Sequence, residues 1–451
     1  MRIGFKFIST RVKNKWEAIQ ASFWFIPSIM LLGGVIIALF MISLDKNLEN
    51  EVYTISQILS DVSAEGARSV LTTIAGSMAT VAGVAFSITI VALSLASSQF
   101  GPRLLRNFMK DTGNQTALGT FTSTFIYCLI VLRSIHTGED QTFVPILSVN
   151  LGMVFAIANV GMLIYFIHHV STSIQADQII AGVYHDLELQ IEKLFPEALQ
   201  QDQSILNSEK RTANENDNRQ QKIIAWESGY LQAIDKSALL QIASKSDCIF
   251  SCQHRPGDFV VKGNVFLTIQ QEQPLNNNLE KQIRDVFIFG IKRTPEQDAE
   301  FAIHQLVEVA IRALSPGVND PYTALTCIDH LGSILCKLID RKFPSSYLKD
   351  ERENVRVIVK TTSFTSITNA AFDQIRQYGR THVAVTIRLL EALKTIALLA
   401  RSREQIRVIQ HQSEMIERAC IQSIPEKFDQ QDILTRYREL VEVLAKKQSV
   451  S

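Results

Sequence analysis

An uncharged stretch of 24 residues, ASFWFIPSIMLLGGVIIALFMISL from Ala21 to Leu44, decides the fold class of this chain. As a helix rising about 1.5 Å per residue it would be roughly 36 Å long, enough to cross a hydrocarbon core of about 30 Å with some tilt. A cleaved signal peptide is the competing interpretation, but its apolar region usually spans only about 7–15 residues and precedes a small-residue cleavage site. Here the longer run ends in Ser43-Leu44-Asp45-Lys46-Asn47, which favours an anchor helix.

Three further apolar segments extend this helix to a predicted membrane domain of four helices over residues 21–169: Ser69–Ser98, Thr116–Leu132 and Phe143–His168. Lys and Arg concentrate in the N-terminal arm, residues 1–20, and in the second connection between the predicted helices, whereas the first and third connections are acidic. Because Lys and Arg favour the cytoplasmic side of a bilayer, the N-terminus and everything after His169 are predicted to be cytoplasmic.

The second predicted span carries small and hydroxyl residues on one helical face, at spacings of four, three, four and seven: Gly76, Thr80, Gly83, Ser87 and Ser94. Small residues let helix backbones approach closely, so helix packing is one interpretation of this face. The other interpretation is a row of hydroxyls and exposed backbone that lines a water-filled path. The sequence leaves both open, with packing the commoner use of such a pattern.

None of the four predicted spans contains an Asp, Glu, Lys or Arg residue. Ion-coupled carriers usually keep an ionisable side chain at membrane depth, because a group there must bind and release the coupling ion. This absence argues against a pump or antiporter. A passive pore and a plain membrane anchor remain as interpretations of the four helices.

The average composition of the 451-residue chain conceals two different halves. Residues 1–170 carry the long apolar runs, whereas residues 171–451 read as a charged, largely helical soluble protein. The 45 basic residues equal the 45 acidic ones, which gives no support for a nucleic-acid partner. The six cysteines are scattered, and five fall in the half assigned to the cytoplasm, so reduced thiols are expected.

The second half divides further by its local patterns. Residues 170–199 are predicted to extend the fourth span as a helix, and its apolar stripe would dock either on its own domain or in an oligomeric coiled coil. Residues 200–222 read as a polar linker, 223–275 as a β-rich segment forming a small β-barrel or sandwich, and 276–451 as an α-helical domain. The predicted fold class is an α-helical membrane protein with four transmembrane helices and a mainly α, α+β cytosolic domain.

Two helix starts in the last segment carry cap signals. Thr294-Pro295-Glu296-Gln297 predicts a capping box with proline at the first helical position. Further on, the loop Ser315–Pro321 leads into another helix, whose free N–H groups would suit an anion. Asp320 would itself cap that helix and repel the anion, which favours a tight interhelical turn. The candidate ligand residues of this loop are Arg312, Ser315, Gly317, Asn319 and Asp320.

Motifs of known chemistry are sparse. Cys248, Cys252 and His254 are close enough to suggest a zinc site, but a second pair of ligands is missing and a buried strand face is favoured. No Walker loop, Rossmann fingerprint, nucleophile elbow or His-Glu-x-x-His motif occurs. No catalytic residue, metal site or cofactor is therefore predicted, and nothing in the sequence calls for an enzyme.

Four segments resemble a bacterial family of predicted membrane proteins catalogued as domain of unknown function 2254: Ala96–Arg103, Ser228–Asp235, Arg312–Pro321 and Phe372–Gly379. These segments are spread over nearly the whole chain. The resemblance implies a multi-pass protein of the bacterial cytoplasmic (inner) membrane with this same layout. It supplies neither an activity nor a catalytic residue.

Two functional hypotheses follow from the spans and the cytosolic half. The first is an oligomeric channel-like protein, gated or assembled by its cytosolic domain, with the lipid bilayer and further copies of the chain as partners and an ion or small ligand passing through. The alternative is a membrane-anchored sensor or scaffold, whose cytosolic domain binds a ligand or a partner protein.

Overall fold

The computed structural model describes residues 22–47, 63–101, 109, 111–137, 142–197, 220–271 and 276–450. The chain forms two compact units, an N-terminal unit that ends at Gln178 and a C-terminal unit that begins at Ile179. The basic N-terminal arm, most of the charged connections and nearly all of the predicted linker lie outside the described residues. The orientation of the termini therefore stays a prediction.

The described residues of the N-terminal unit form four long helices and a pair of two-residue antiparallel strands. They follow in the order α1 (Phe25–Asn47), α2 (Ala64–Phe100), α3 (Thr112–Ser134), β1 (His136–Thr137), β2 (Thr142–Phe143) and α4 (Ile146–Ser173). Each helix is long and apolar enough to cross a membrane, which confirms the four predicted apolar helices. With 37 residues, α2 is roughly 55 Å long and exceeds the thickness of a hydrocarbon core.

Helix α3 is the centre of the N-terminal unit. In the most apolar 18-residue stretch of each helix, 50% of the residues of α3 are buried, against 17–22% of those in the other three helices. Helix α1 approaches α3 at two glycines: a Cβ on Gly34 would lie 2.9 Å from the carbonyl oxygen of Ser123, and one on Gly119 would lie 3.2 Å from the Cα of Pro27. The two backbones therefore nearly touch, which is the usual role of small residues between apolar helices.

The C-terminal unit combines helices with short strands. Its elements follow in the order α5 (Ala176–Leu194, its first residues preceding the unit boundary), β3 (Gln220–Ile224), β4 (Gly229–Ile234), α6 (Lys236–Lys245), β5 (Ile249–Cys252), β6 (Phe259–Val260), β7 (Val265–Gln270), α7 (Asn277–Asp285), β8 (Phe287–Gly290), α8 (Ala299–Ala313), α9 (Pro321–Leu338), β9 (Tyr347–Lys349), β10 (Val355–Ile358), α10 (Phe364–Gly379), α11 (Val383–Leu399), α12 (Arg403–Ser423) and α13 (Lys427–Val450). The mainly helical class with small sheets is confirmed.

The described strands of this unit form two small sheets, so the barrel is wrong as an interpretation of the segment that was predicted to be a small barrel or sandwich. Among the described residues one sheet has the order β3-β7-β5-β10-β9 and the other β6-β4-β8, and neither closes on itself. Both sheets share one hydrophobic core that includes Leu231, Phe250, Phe266 and Val357. Strand β5 pairs antiparallel with β7 and parallel with β10, and β8, β9 and β10 all come from beyond the predicted segment 223–275.

Helix α8 begins later than its sequence signal. The predicted capping box at Thr294–Gln297 is wrong, because the helix starts at Ala299 with Asp298 as its cap residue. The side-chain amide of Gln297 instead accepts from the N–H of Ile234 and donates to the carbonyl of the same residue, both over 3.1 Å. A residue that resembles a helix cap in the sequence thus satisfies the backbone at the end of β4.

Helix α5 packs on its own unit. Its apolar stripe is buried and consists of Ile180, Val183, Leu187 and Ile191. The hydroxyl of Tyr184 lies 3.0 Å from the hydroxyl of Ser333 in α9, and Glu188 forms an ion pair with Lys337 of the same helix. The stripe is therefore used for docking within the chain, and the coiled-coil alternative loses its apolar seam.

Candidate functional site

The side of α2 that packs inside the N-terminal unit consists mainly of alanine. Its buried residues recur at spacings of three, four or seven positions: Ala67, Leu71, Ala75, Met78, Ala85, Thr89, Ala92, Ala96 and Phe100. Short side chains at these positions let α2 lie close to its neighbours. On α4, for example, a Cβ added to Gly152 would lie 3.3 Å from the side chain of Leu71.

The predicted stripe lies on the outward side of α2, and we call its five residues the α2 polar face: Gly76, Thr80, Gly83, Ser87 and Ser94, all exposed. At about 100° per residue, their mean direction is roughly 160° away from that of the buried residues. A Cβ on Gly76 or Gly83 would meet no atom within 4 Å in the described structure. The α2 polar face is therefore not covered by the part of the chain that the structure describes.

Two hydroxyls of the α2 polar face donate to carbonyls of their own helix. Oγ1 of Thr80 donates to the carbonyl of Gly76 over 3.0 Å, and Oγ of Ser87 donates to the carbonyl of Gly83 over 2.9 Å. With its proton engaged in this way, each hydroxyl oxygen still has acceptor capacity. Such an oxygen can accept a hydrogen bond from water or contribute to the coordination of a cation.

The outward sides of α1 and α4 have a different chemistry. Phe40 of α1 is 64% exposed and Ile157 of α4 is 74% exposed, and both are large apolar side chains suited to contact with lipid. On α2, exposed Val84 and Val91 lie beside the polar face. Within one bundle, α1 and α4 thus present lipid-like surfaces, and α2 presents a strip of glycine and hydroxyl groups flanked by apolar side chains.

Asp45, which belongs to the acidic first connection in the sequence, is buried at the end of α1. Its carboxylate accepts from the N–H of Leu147 over 2.9 Å and from the N–H and hydroxyl of Ser148 over 3.0 and 2.5 Å. Helix α4 has Pro145 as its cap residue and no side-chain cap of its own, so a carboxylate 102 positions earlier takes that role. The missing local cap is the signal in the sequence that would have pointed to such a partner.

The candidate ligand loop forms a tight turn between α8 and α9. The carboxylate of Asp320 accepts from the N–H of Thr323 over 3.2 Å and from its hydroxyl over 2.5 Å, so it caps α9. The N–H groups of Asn319 and Asp320 donate to the carbonyls of Ser315 and Ala313 over 2.9 and 2.8 Å. The φ angle of Asn319 is 50°, a left-handed conformation that asparagine tolerates well in turns.

The remaining candidates of this loop are spread around the turn. Gly317 is exposed, and Nε of Arg312 lies 3.6 Å from Glu308, one turn earlier on α8. The backbone N–H groups of Asn319 and Asp320 already donate within the turn, so they do not point free toward an anion. The geometry fits an interhelical turn, and a ligand role for these residues stays a prediction.

The two cysteines of the suggested zinc site are part of the core shared by the sheets. Sγ of Cys248 donates to the carbonyl of Ser246 over 3.0 Å, and burial raises the pKa of Cys252 to about 12. A thiol with such a pKa stays protonated at neutral pH, as is usual for a buried strand face. No group of three or more His, Cys, Asp and Glu side chains in the described ranges is arranged to hold a metal ion.

An ionic network that sequence reasoning missed joins the sheets to α8. Arg255, in the loop between β5 and β6, donates through Nη2 to both carboxylate oxygens of Glu300 over 2.9 and 2.8 Å, and through Nη1 to the hydroxyl of Thr362 over 3.2 Å. Beside it, Arg293 donates to Asp298 over 2.6–2.8 Å. The side chains of Glu300 and Asp298 are only 11% and 5% exposed.

The surroundings of Asp298 explain why an arginine stands at position 293 and a glycine at position 257. Burial raises the pKa of Asp298 above its ordinary value, and the adjacent Arg293 opposes that rise. Gly257 has a φ angle of 98°, and a Cβ there would lie 2.7 Å from Cγ of Asp298, so only glycine fits. Because each charge in the network has a partner of opposite sign, the network is a structural joint between sheets and helices.

Comparison with known proteins finds relatives of the chain in bacteria and a matching family. It is similar to uncharacterized proteins of Mycobacterium bovis and Mycobacterium tuberculosis, each 28% identical over 450 residues that cover 97% of this chain and 84% of the relative. No solved structure matches the chain. The family model described as Predicted membrane protein (DUF2254) matches residues 20–395, a range that includes all four apolar helices and both sheets. The chain therefore belongs to the DUF2254 family of predicted membrane proteins.

Proposed function

We propose that this protein is a homo-oligomeric, channel-like protein of the bacterial cytoplasmic membrane, in which the α2 polar faces of neighbouring copies surround a common path. In this proposal the four apolar helices span the bilayer, and the C-terminal unit lies in the cytoplasm, where it assembles or gates the path. The observation that carries the proposal is the exposure of the α2 polar face on the outside of a largely apolar bundle.

The chemistry of that face supports a partner other than lipid. Lipid chains offer no hydrogen bonds, so hydroxyl oxygens and glycine backbone gain little from facing them. Glycine at positions 76 and 83 permits a second helix to approach closely, as Gly34 does between α1 and α3. The hydroxyl oxygens of Thr80 and Ser87 lie roughly 40° further round the helix than the two glycines. A contact at the glycines would therefore leave these oxygens available to water or ions in the space between copies.

The proposed path is passive. The α2 polar face carries no charged residue, and hydroxyl and carbonyl oxygens replace part of a hydration shell without a fixed charge. A coupled carrier would need a group at this depth that binds and releases protons or ions, and Gly76, Thr80, Gly83, Ser87 and Ser94 do not titrate at physiological pH. Small ions and water are therefore the proposed permeants.

Ion flux into liposomes that contain the purified full-length protein tests this proposal. We expect Thr80→Leu and Ser87→Leu each to abolish most of the flux, because leucine fills the space beside the hydroxyl oxygens. Ser171→Leu is the matched control: Ser171 is an exposed serine on α4 whose hydroxyl makes the same kind of backbone bond, over 2.7 Å to Ile167. The control should conduct like the unchanged protein.

A protein that shows no flux over a range of salts, pH values and membrane tensions would overturn the channel proposal. The membrane-anchored sensor or scaffold would then be the remaining hypothesis. If all three leucine variants conducted like the unchanged protein, the path would not be lined by α2.

Assembly of copies through the α2 polar face makes a separate prediction. Gly76→Ala and Gly83→Ala should raise the intrinsic helix propensity by about 1 kcal/mol each but lower the fraction of oligomers recovered by crosslinking in membranes, because each methyl separates the copies. Gly161→Ala on α4 is the control, since a Cβ there also meets no atom within 4 Å. Equal crosslinking of all three variants would show that the copies do not meet at Gly76 and Gly83.

A further inference from the structure

Three loops of the C-terminal unit converge at one end of the three-stranded sheet, and we call residues 224–228, 259–264 and 290–292 the loop edge. The N–H of Lys262 donates to the hydroxyl of Ser228, and the N–H of Gly263 donates to the carbonyl of Ala225, both over 2.9 Å. The third loop joins them because the central strand residue Tyr230 pairs with both Phe259 and Gly290. The loop edge is thus one continuous surface built from distant parts of the chain.

Apolar side chains are unusually exposed on the loop edge. Ile291 is 92% exposed, Phe259 and Ile224 are each 53% exposed, and Val261 is 47% exposed. Single exposed apolar residues are normal on any protein. Here two stand at strand ends, Ile224 and Phe259, and two in loops, Val261 and Ile291, all on segments that hydrogen bonds tie together. Four exposed apolar residues on one edge are typical of a surface that binds a partner.

Basic side chains lie among these apolar ones. Lys262 and Lys292 are exposed and adjoin Val261 and Ile291 in the sequence, and Lys222 lies two positions from Ile224 on the same side of β3. A nearby exposed acid is Glu227, so the three lysines give the edge a positive balance.

The mixture of aliphatic tips and lysines indicates which partner fits. The centres of protein–protein interfaces are depleted of lysine, whereas anionic lipid surfaces attract it. A lysine can bury its aliphatic stem beside an inserted apolar side chain and keep its ammonium group among the headgroups. Exposed isoleucine, phenylalanine and valine at the same edge suit the boundary between headgroups and acyl chains.

Chain connectivity keeps this unit close to a bilayer. Helix α5, which enters the C-terminal unit, begins at Ala176, only two residues after α4 ends at Ser173. If α4 crosses the membrane, the unit is tethered at its surface, where the effective lipid concentration is high and weak lipid contacts become significant.

We propose that the loop edge is a lipid-docking surface that inserts Phe259, Val261 and Ile291 into an anionic leaflet, with Lys262 and Lys292 on its headgroups. This contact would fix the C-terminal unit against the membrane, and it is independent of whether the protein conducts ions.

A fluorescence experiment on the full-length protein in nanodiscs tests the proposal. An environment-sensitive fluorophore is placed on Ile291→Cys, with Cys336→Ser to remove the one partly accessible native thiol among the described cysteines. We expect strong quenching by lipids brominated on their acyl chains when the nanodisc contains phosphatidylglycerol. The same fluorophore on Glu351→Cys, in the exposed turn between β9 and β10, is the control and should not be quenched.

Charge removal gives the second arm of the test. Changing both Lys262 and Lys292 to Gln should lower the ratio of docked to undocked protein by roughly thirtyfold, because each lysine near an anionic surface contributes about a factor of five. Both positions are exposed, so the thermal unfolding of the variant should be unchanged. Equal quenching at positions 291 and 351 would overturn the proposal, as would quenching that is the same in purely zwitterionic lipid and insensitive to the lysine changes.

Discussion

Gly34→Leu is expected to lower the free energy of unfolding of the N-terminal unit by about 3 kcal/mol or more, the upper range for overpacking a well-packed contact. A Cβ at this position would lie 2.9 Å from the carbonyl oxygen of Ser123, and a backbone atom cannot rotate away as a side chain can. The whole of α1 would have to move outward from α3, which is the central helix of the unit.

The neighbouring glycine provides the control for this change. Gly33 lies one residue earlier in α1, and a Cβ there would meet no atom within 4 Å in the described structure. Gly33→Leu adds the same side chain to the same helix and should leave stability nearly unchanged. Both variants are measured by titrating the purified protein from mild detergent into sodium dodecyl sulfate, and equal midpoints would contradict the close α1–α3 contact.

Local patterns in the sequence were sufficient to find the four apolar helices and most of the helical bundle. Each span has a long uncharged run, and helices α10 to α13 all lie in the segment 276–451, which was predicted to be α-helical. Such features depend on residues close in sequence, whose periodicity is set by helix geometry. The same periodicity places the five residues of the α2 polar face on one side of the helix. It does not show that this side is exposed, because exposure depends on what the other helices cover.

Contacts between distant segments were the part that sequence patterns could not supply. Strand β10 pairs with β5 although it lies about 100 residues later in the chain. Local patterns do not show such a pairing, so the sequence indicated a self-contained β-rich segment. Asp45 caps a helix by accepting from the N–H of Leu147, 102 positions later, and Arg255 reaches Thr362 over a separation of 107. A charged residue in a connection carries no local sign of its partner, and each of these side chains therefore read as an ordinary surface charge.

The ionic network at the start of α8 supplies the second large effect. Glu300→Ala should lower the stability of the C-terminal unit by about 2–4 kcal/mol, somewhat below the loss for a fully buried pair because Arg255 is 25% exposed. The loss comes mainly from leaving the guanidinium of Arg255 with only the more distant carboxylate of Asp258, 3.8 Å from its Nε. Hydrogen–deuterium exchange should quicken in the β5–β6 loop and in the first turn of α8, while exchange in the N-terminal unit stays unchanged.

A second substitution that removes the charge of Arg255 separates the effect of that charge from a simple loss of packing. Adding Arg255→Met to Glu300→Ala removes the uncompensated charge and should recover part of the lost stability, since a buried pair is often replaceable by apolar groups. Asp340→Ala is the control for an exposed pair: Asp340 bonds Arg401 over 3.0 Å, but the two side chains are 59% and 74% exposed, so its loss should stay within about 1 kcal/mol. If Glu300→Ala cost no more than Asp340→Ala, the joint between sheets and helices would not depend on this network.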